Sequence, residues 1–420
     1  MAITGGQLGP FAMTDVGAGP AADHGARGAG RGAGSDVRLD SLALDPYPIL
    51  AHLRATAPVA WVHEARMWFV TRRSDVLAIL RDPETYRTDS PHSTIRDTFG
   101  EQMLSVEGDR HRRYKSQCNP PFNLRSVHAH AMPLIAARVD ALADAFDGQH
   151  TVDLRPALAS QLAVYTVASV LGIPTALHER ILGWYADFAA ALANFGWDEQ
   201  IQARGQASAR EFQDAMGPVL RELERTADAS LLSVLARATP DRLTDPEIVA
   251  NALIVLFGGI ETTESTVLNV IWTLLTHPAA LSAIRADWSL LPAAIEEAMR
   301  WEPAVQSCTR HLAHPVTLHG VTLDAHATVQ CMLGAANRDP AHFPDPDRFD
   351  IARANAGDHL SFGAGKHFCL GAALARAEVQ LTVERLFRRF PAIRLDPDHP
   401  SAPRGFEFRA PPTLWVLLQA

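Results

Sequence analysis

The residues best placed to do chemistry lie in Phe362-Gly-Ala-Gly-Lys-His-Phe-Cys-Leu-Gly371, ahead of a helix predicted over 372–390. Gly363, Gly365 and Gly371 carry no Cβ, so the backbone of this loop can approach a flat ligand closely. Cys369 sits just before the helix N-terminus, where unpaired N–H groups and the helix dipole favour a thiolate over a thiol. Most lone cysteines are simply buried and inert. Here the spacing F-G-x-G-x-H-x-C-x-G is too specific for that reading, and it points to a thiolate serving as a metal ligand.

Two further groupings are chemically loaded. Glu297-Ala-Met-Arg300 places an acid and a base three residues apart, on one helix face. Alone this would be a surface ion pair of little energetic worth. Gly258-Gly-Ile-Glu-Thr-Thr263 interrupts a long apolar helix with an acid and hydroxyls. Each interior glycine costs about 1 kcal/mol relative to alanine, so the helix is expected to bend or open there. Thr262 can donate or accept a hydrogen bond and Glu261 can relay protons. The plainer alternative is a threonine bonding back to a helical carbonyl.

Together these motifs resemble the cytochrome P450 family, in particular its soluble bacterial members, over roughly residues 42–418. The resemblance implies a mainly α fold with small β-sheets, a triangular helical prism around a buried haem b. It implies that Cys369 is the axial iron ligand, whose electron donation favours O–O cleavage, with Phe362, Gly363 and Gly371 shaping the loop around it. His367, His111, Lys115 and Arg310 match the family's propionate contacts, although Lys115 offers a point charge where the family often has an arginine fork. Glu297, Arg300 and Arg348 match the structural triad that supports the cysteine loop. Glu261 and Thr262 match the oxygen-activation pair. Phe257, Ile260, Val305 and Phe406 fall where the family lines its substrate pocket, and Trp184, Tyr185, Phe188, Phe195 and Trp197 where it has mobile helices.

The expected reaction inserts one atom of O₂ into a small, largely apolar organic substrate. No flavin, nicotinamide or iron–sulfur motif is visible, so electrons are expected from a ferredoxin or flavodoxin with its reductase. Arg112, Arg113 and Lys366 are expected at the docking face. Rivals are a P450-type oxidase catalysing desaturation, ring formation or coupling, a peroxide-driven enzyme, and a haem sensor without turnover. Glu261 and Thr262 count against the last two.

The scaffold must hold these groups in register. Residues 1–36, rich in Gly and Ala, are expected to form a disordered tail, and 37–420 a single domain. The early chain mixes signals: a helix near 48–54, a hairpin over 59–71 and a helix over 74–81. From about 131 to 300 the apolar spacing is helical. A central rod is expected from Asp245 as cap and Pro246 at its first position to Thr276, roughly 45 Å long at 1.5 Å per residue. Strands are expected within 316–333 and at 414–418.

The 38 basic and 47 acidic residues leave a formal charge of −9, which excludes a globally cationic nucleic-acid binder. The four cysteines form no C-x-x-C pair, which argues against structural zinc. The longest apolar stretch, 248–260, is shorter than the roughly 20 residues a membrane span needs. No secretory signal is visible. The expectation is a cytoplasmic monomer that does not bind membranes.

Overall fold

A computed structural model describes Gly32 and residues 34–419, apart from 91–92, 193 and 195–197. Most of the expected tail, together with Phe195 and Trp197, therefore lies outside the described residues. Val37 and Leu39 are already buried.

The longer helices are α1 (Gly108–Cys118), α2 (Met132–Asp144), α3 (Ser160–Leu171), α4 (His178–Leu192), α5 (Glu199–Arg225), α6 (Asp245–Thr276), α7 (Leu291–Trp301) and α8 (Ala372–Arg389). Their apolar faces close a large helical core in which α6 packs against α3, α7 and α8. α6 is long and apolar enough to cross a bilayer, but most of it is buried inside the protein, as the central rod of a helical core must be. It starts one residue earlier than expected. Thr244 is the N-cap: its hydroxyl accepts from the Glu247 N–H while the Glu247 carboxylate accepts from the Thr244 N–H, a reciprocal capping box. Asp245 and Pro246 then occupy the first turn.

The sheets are β1 (Val59–Val62), β2 (Met67–Val70), β3 (Tyr86–Arg87), β4 (Thr151–Asp153), β5 (Ser307–Leu312), β6 (Val316–Leu318), β7 (Val321–Leu323), β8 (Thr328–Met332), β9 (Arg394–Leu395) and β10 (Trp415–Leu417). The largest sheet runs β1-β2-β8-β5-β3, antiparallel except where β2 pairs β8. β4-β10-β9 form a second sheet and β6-β7 a hairpin. β1 and β2 form the expected hairpin, and α8 follows the cysteine loop as expected. The large sheet covers two smaller apolar clusters, one around Val329 and Cys331, the other around Leu42 and Phe69. β5 links α7 to this sheet and carries Arg310.

Candidate functional site: a cysteine loop facing a central helix

The cysteine loop is shaped by its own backbone. The Cys369 N–H donates to the Phe362 carbonyl at 2.9 Å and the Gly363 N–H to Leu360 at 2.8 Å. Gly363 and Gly365 have φ of 68° and 72°, a left-handed region in which side chains are strained. At Gly365 a Cβ would also collide with the Leu80 carbonyl, 2.3 Å away. The Cys369 side chain is accessible, although protein walls surround it closely enough to push the thiol up. The Gly371 N–H and the charges of Lys115 and Arg376 act in the opposite direction. Lys115, on α1, donates to the carbonyls of Lys366 and Phe368 at 2.5 and 2.8 Å. Two of the three ammonium N–H groups are thus committed to the loop itself, which leaves one for a propionate.

Behind the loop, His111 and His367 lie with ring centroids 4.1 Å apart. His367 Nε2 pairs with Glu107 at 3.0 Å, and Thr88 donates to the same carboxylate oxygen. Against burial, which raises it, these partners hold Glu107 at about 2. Burial, and then the neighbouring His367 charge, push His111 down to about 4. His367 Nδ1 is buried and has no partner. Arg310 is buried on β5 and donates to its neighbour Thr309 at 2.7 Å.

α6 runs unbroken through its glycines. The two glycines do different things. A Cβ on Gly259 would strike Val167 of α3 at 2.5 Å, so Gly259 allows close helix packing. Gly258 is exposed, with nothing within 4 Å of a Cβ, and opens a gap midway along a buried rod. Thr262 donates to the Gly258 carbonyl at 2.5 Å. The hydroxyl therefore bonds within the helix, which continues through this point.

Glu261 accepts a 2.6 Å hydrogen bond from the Tyr185 hydroxyl of α4. Phe257, one turn earlier, packs against Tyr185, Phe99 and Phe408 at centroid distances of 5.8, 5.9 and 6.5 Å. Val305 forms a bridge with Phe408. Two pocket expectations change. Ile260 is sealed in the helical core. Phe406 stacks on Phe69 in the cluster under the sheet, and Phe408, two residues on, takes the place beside Phe257.

Two buried acids, Glu264 and Glu378, and the partly buried Arg155 lie outside the expected site. Glu264 lies 2.9 Å from Arg155, yet burial still lifts it to about 7. Glu378 is lifted to about 8 by burial. Their only sequence signal is an acid on an otherwise apolar helical face.

The support beneath the loop also differs from expectation. Arg300 grips Glu297 through two bonds of 2.7 and 2.8 Å, with both side chains fully buried. The third member is Arg353, not Arg348. Arg353 Nε reaches Glu297 at 3.1 Å and its other nitrogens tie the carbonyls of Pro344, Asp345 and Arg348. The Arg348 side chain is 70% exposed beside Asp350, and only its carbonyl serves the network. Asp345 in this segment has a positive φ, and its carbonyl is one of the three that Arg353 ties.

These residues fit an iron porphyrin: an accessible cysteine sulfur in a glycine loop, a gap at Gly258, an unpartnered buried imidazole nitrogen on His367 and a buried cation at Arg310. The cytochrome P450 family model matches residues 197–413. The chain is 35% identical to cytochrome P450 monooxygenase PikC of Streptomyces venezuelae, over 84% of this chain and 86% of that one. The chain belongs to the cytochrome P450 family. It is also 32% identical to 6-deoxyerythronolide B hydroxylase of Saccharopolyspora erythraea, over 86% of this chain and 93% of that one. The solved structure of P450BioI, in complex with an acyl carrier protein carrying hexadec-9Z-enoic acid, superposes with a TM-score of 0.83 at 30% identity. That match covers 90% of this chain and all of P450BioI. As a P450, the protein is a haem-thiolate monooxygenase that uses O₂ on a small organic substrate, with haem iron as cofactor. Members usually draw electrons from a redox partner.

Proposed function

We propose that Cys369 ligates the haem iron and that Glu261 and Thr262 supply protons for oxygen insertion into a largely apolar substrate. When bound, the haem supplies the redox chemistry of O₂, tuned by the thiolate. The chain's own residues do the rest. Lys115 and the Gly371 N–H hold the loop and favour the anionic sulfur. His111, His367 and Arg310 hold the propionates, and His367 Nδ1 is the donor or acceptor that now lacks a partner. Tyr185 fixes the Glu261 carboxylate at 2.6 Å, one residue before the Thr262 hydroxyl that takes the proton onward. Phe257, Phe99, Tyr185, Phe408 and Val305 form an apolar wall that excludes water and selects substrate by shape.

The observation that carries this reading is the accessible Cys369 together with the Gly258 gap and the Glu261–Thr262 pair. For electrons we propose a ferredoxin or flavodoxin at the face bearing Arg112 and Lys366, whose side chains are 76% and 51% exposed. Arg113 is 40% exposed and bonds Glu247 and the Arg242 carbonyl, which makes it the most tied of the three. We propose a cytoplasmic monomer with its folded unit over 37–420. The relative named 6-deoxyerythronolide B hydroxylase, and P450BioI solved with hexadec-9Z-enoic acid on its carrier protein, support a bulky, mostly apolar substrate.

The test is the spectrum of the reduced protein with CO, for wild type and Cys369→His. Wild type should show the red-shifted haem-thiolate band and the variant should lose it, while Cys118→Ala, Cys308→Ala and Cys331→Ala keep it. A band that survives Cys369→His overturns the ligand assignment.

A further inference from the structure

The register of the large sheet sets Cys308 of β5 directly opposite Cys331 of β8. Residues so opposed in an antiparallel pair have Cα atoms about 4.5–5.5 Å apart. A disulfide spans about 4.4–6.8 Å, so the strands need not move to be bridged. Both thiols are free. They differ in setting. Cys331 is fully buried in the cluster under the sheet, whereas Cys308 is half-buried. Arg310 lies two residues along the same strand from Cys308 and on the same face.

These settings divide the work between the two sulfurs. The neighbouring Cys331, and after it the Arg310 charge, act against burial and bring the Cys308 thiol down from its ordinary value. The same neighbour and burial push Cys331 well up. Cys118, with burial alone, is pushed up to about 12. An accessible thiolate beside a second thiol is the arrangement that reacts with peroxide and then resolves to a disulfide. Cys308 is three residues beyond Val305, whose bridge partner Phe408 packs on Phe257, so it stands close to the aromatic wall.

We propose that Cys308 and Cys331 are a dithiol site that hydrogen peroxide oxidises to a cross-strand disulfide. Hydrogen peroxide is what a monooxygenase releases when reduced oxygen escapes before insertion, so the enzyme's own chemistry supplies the oxidant. The Cys308 thiolate attacks one peroxide oxygen. The O–O bond breaks, hydroxide leaves and is protonated to water, and Cys308 becomes a sulfenic acid. The Cys331 sulfur then attacks the Cys308 sulfur. The S–S bond forms, the S–O bond breaks, and the hydroxyl departs with the Cys331 proton as a second water. Two thiols and one peroxide give one disulfide and two waters, the sulfurs losing the two electrons that the peroxide gains.

The test uses ferric, substrate-free holoenzyme at pH 7.5, given a short pulse of hydrogen peroxide and quenched with catalase. Free thiols are alkylated under denaturing conditions, and a non-reducing digest is read by mass spectrometry. The expected result is a linked pair of peptides holding Cys308 and Cys331, reversed by dithiothreitol, with Cys118 still alkylated. Cys331→Ser should accumulate Cys308 sulfenic acid, trapped by dimedone, and Cys308→Ser should leave Cys331 reduced. A parallel sample treated with diamide, a dithiol oxidant, reports whether the pair can close at all. Failure to link under both reagents overturns the geometric argument. Linkage by diamide alone, or over-oxidation of wild-type Cys308 without linkage, overturns the peroxide chemistry.

Discussion

Replacing Arg353 by methionine separates the network seen in the structure from the one expected at Arg348. The Arg353 side chain is 7% exposed and the Glu297 carboxylate it meets is fully buried. Its guanidinium ties that carboxylate and three backbone carbonyls at 2.7–3.1 Å. Removing one partner from a buried ionic network costs about 3–5 kcal/mol, because the remaining charge is left uncompensated. Arg300 still holds Glu297 by two bonds, which places the loss near the lower end, about 3 kcal/mol. Arg348→Met removes only an exposed pair with Asp350 at 3.7 Å, and such pairs are worth about 0–1 kcal/mol. Unfolding entropy is about 2.1 cal/mol/K per residue, so a chain of this length moves roughly 1 °C per kcal/mol. Arg353→Met should therefore lower the thermal midpoint by about 3–4 °C and Arg348→Met by about 1 °C or less. Far-ultraviolet circular dichroism of haem-loaded proteins, scanned at one rate, gives the two midpoints. Equal shifts, or a larger one for Arg348→Met, would refute the assignment of Arg353.

Thr262→Ala should keep folding and ligand binding but separate NADH consumption from product, with released peroxide rising as product per NADH falls on the order of tenfold; unchanged coupling would remove Thr262 from the proton path. Phe257→Ala should admit bulkier ligands, because it deletes the ring between Phe99, Tyr185 and Phe408; spectral titration with a size series checks this, and an unaltered profile would make Phe257 plain core. Glu378→Gln should gain stability relative to wild type as pH rises. Burial lifts the folded-state carboxyl from 4.5 to about 8, so both states are protonated at low pH and only the unfolded state ionises in between. The advantage should therefore grow by about 1.4 kcal/mol per pH unit between those values and level off above. Urea midpoints of the two proteins across that range check it, and a difference flat with pH sinks the argument.

What was legible in the sequence was whatever obeys a local rule. The hairpin over 59–71, α8 and the length of α6 follow from periodicity and turn chemistry, and the cysteine loop from its glycines. The errors arose where two similar residues compete within an irregular segment. Arg348 and Arg353 are five apart in a chain with no period, so nothing local tells the 70% exposed one from the 7% exposed one. Phe406 and Phe408 are both two-residue neighbours near Gly405, and the choice between the sheet cluster and Phe257 is made by tertiary packing. Thr244 and Asp245 are both good caps. The reciprocal pairing of Thr244 with Glu247 three residues on was the signal that could have decided between them. β5, Ser307-Cys-Thr-Arg-His-Leu312, escaped notice because its apolar content is low and its neighbours β8 and β3 supply the pairing.

The Tyr185–Glu261 bond shows why motif reading stops short of mechanism. Glu261 is recognisable from its place beside Thr262, and Tyr185 from a cluster of aromatics that reads as packing. Their meeting depends on α4 crossing α6 at one height, and 76 residues separate them. The same crossing stacks Tyr185 on Phe257, so one side chain borders the substrate wall with its ring and holds the proposed proton donor with its hydroxyl. Under the proposed function, a substrate that displaces the Tyr185 ring must also move the Glu261 carboxylate. Substrate fit and proton supply are then joined through a single residue, a coupling that neither segment of the sequence contains by itself.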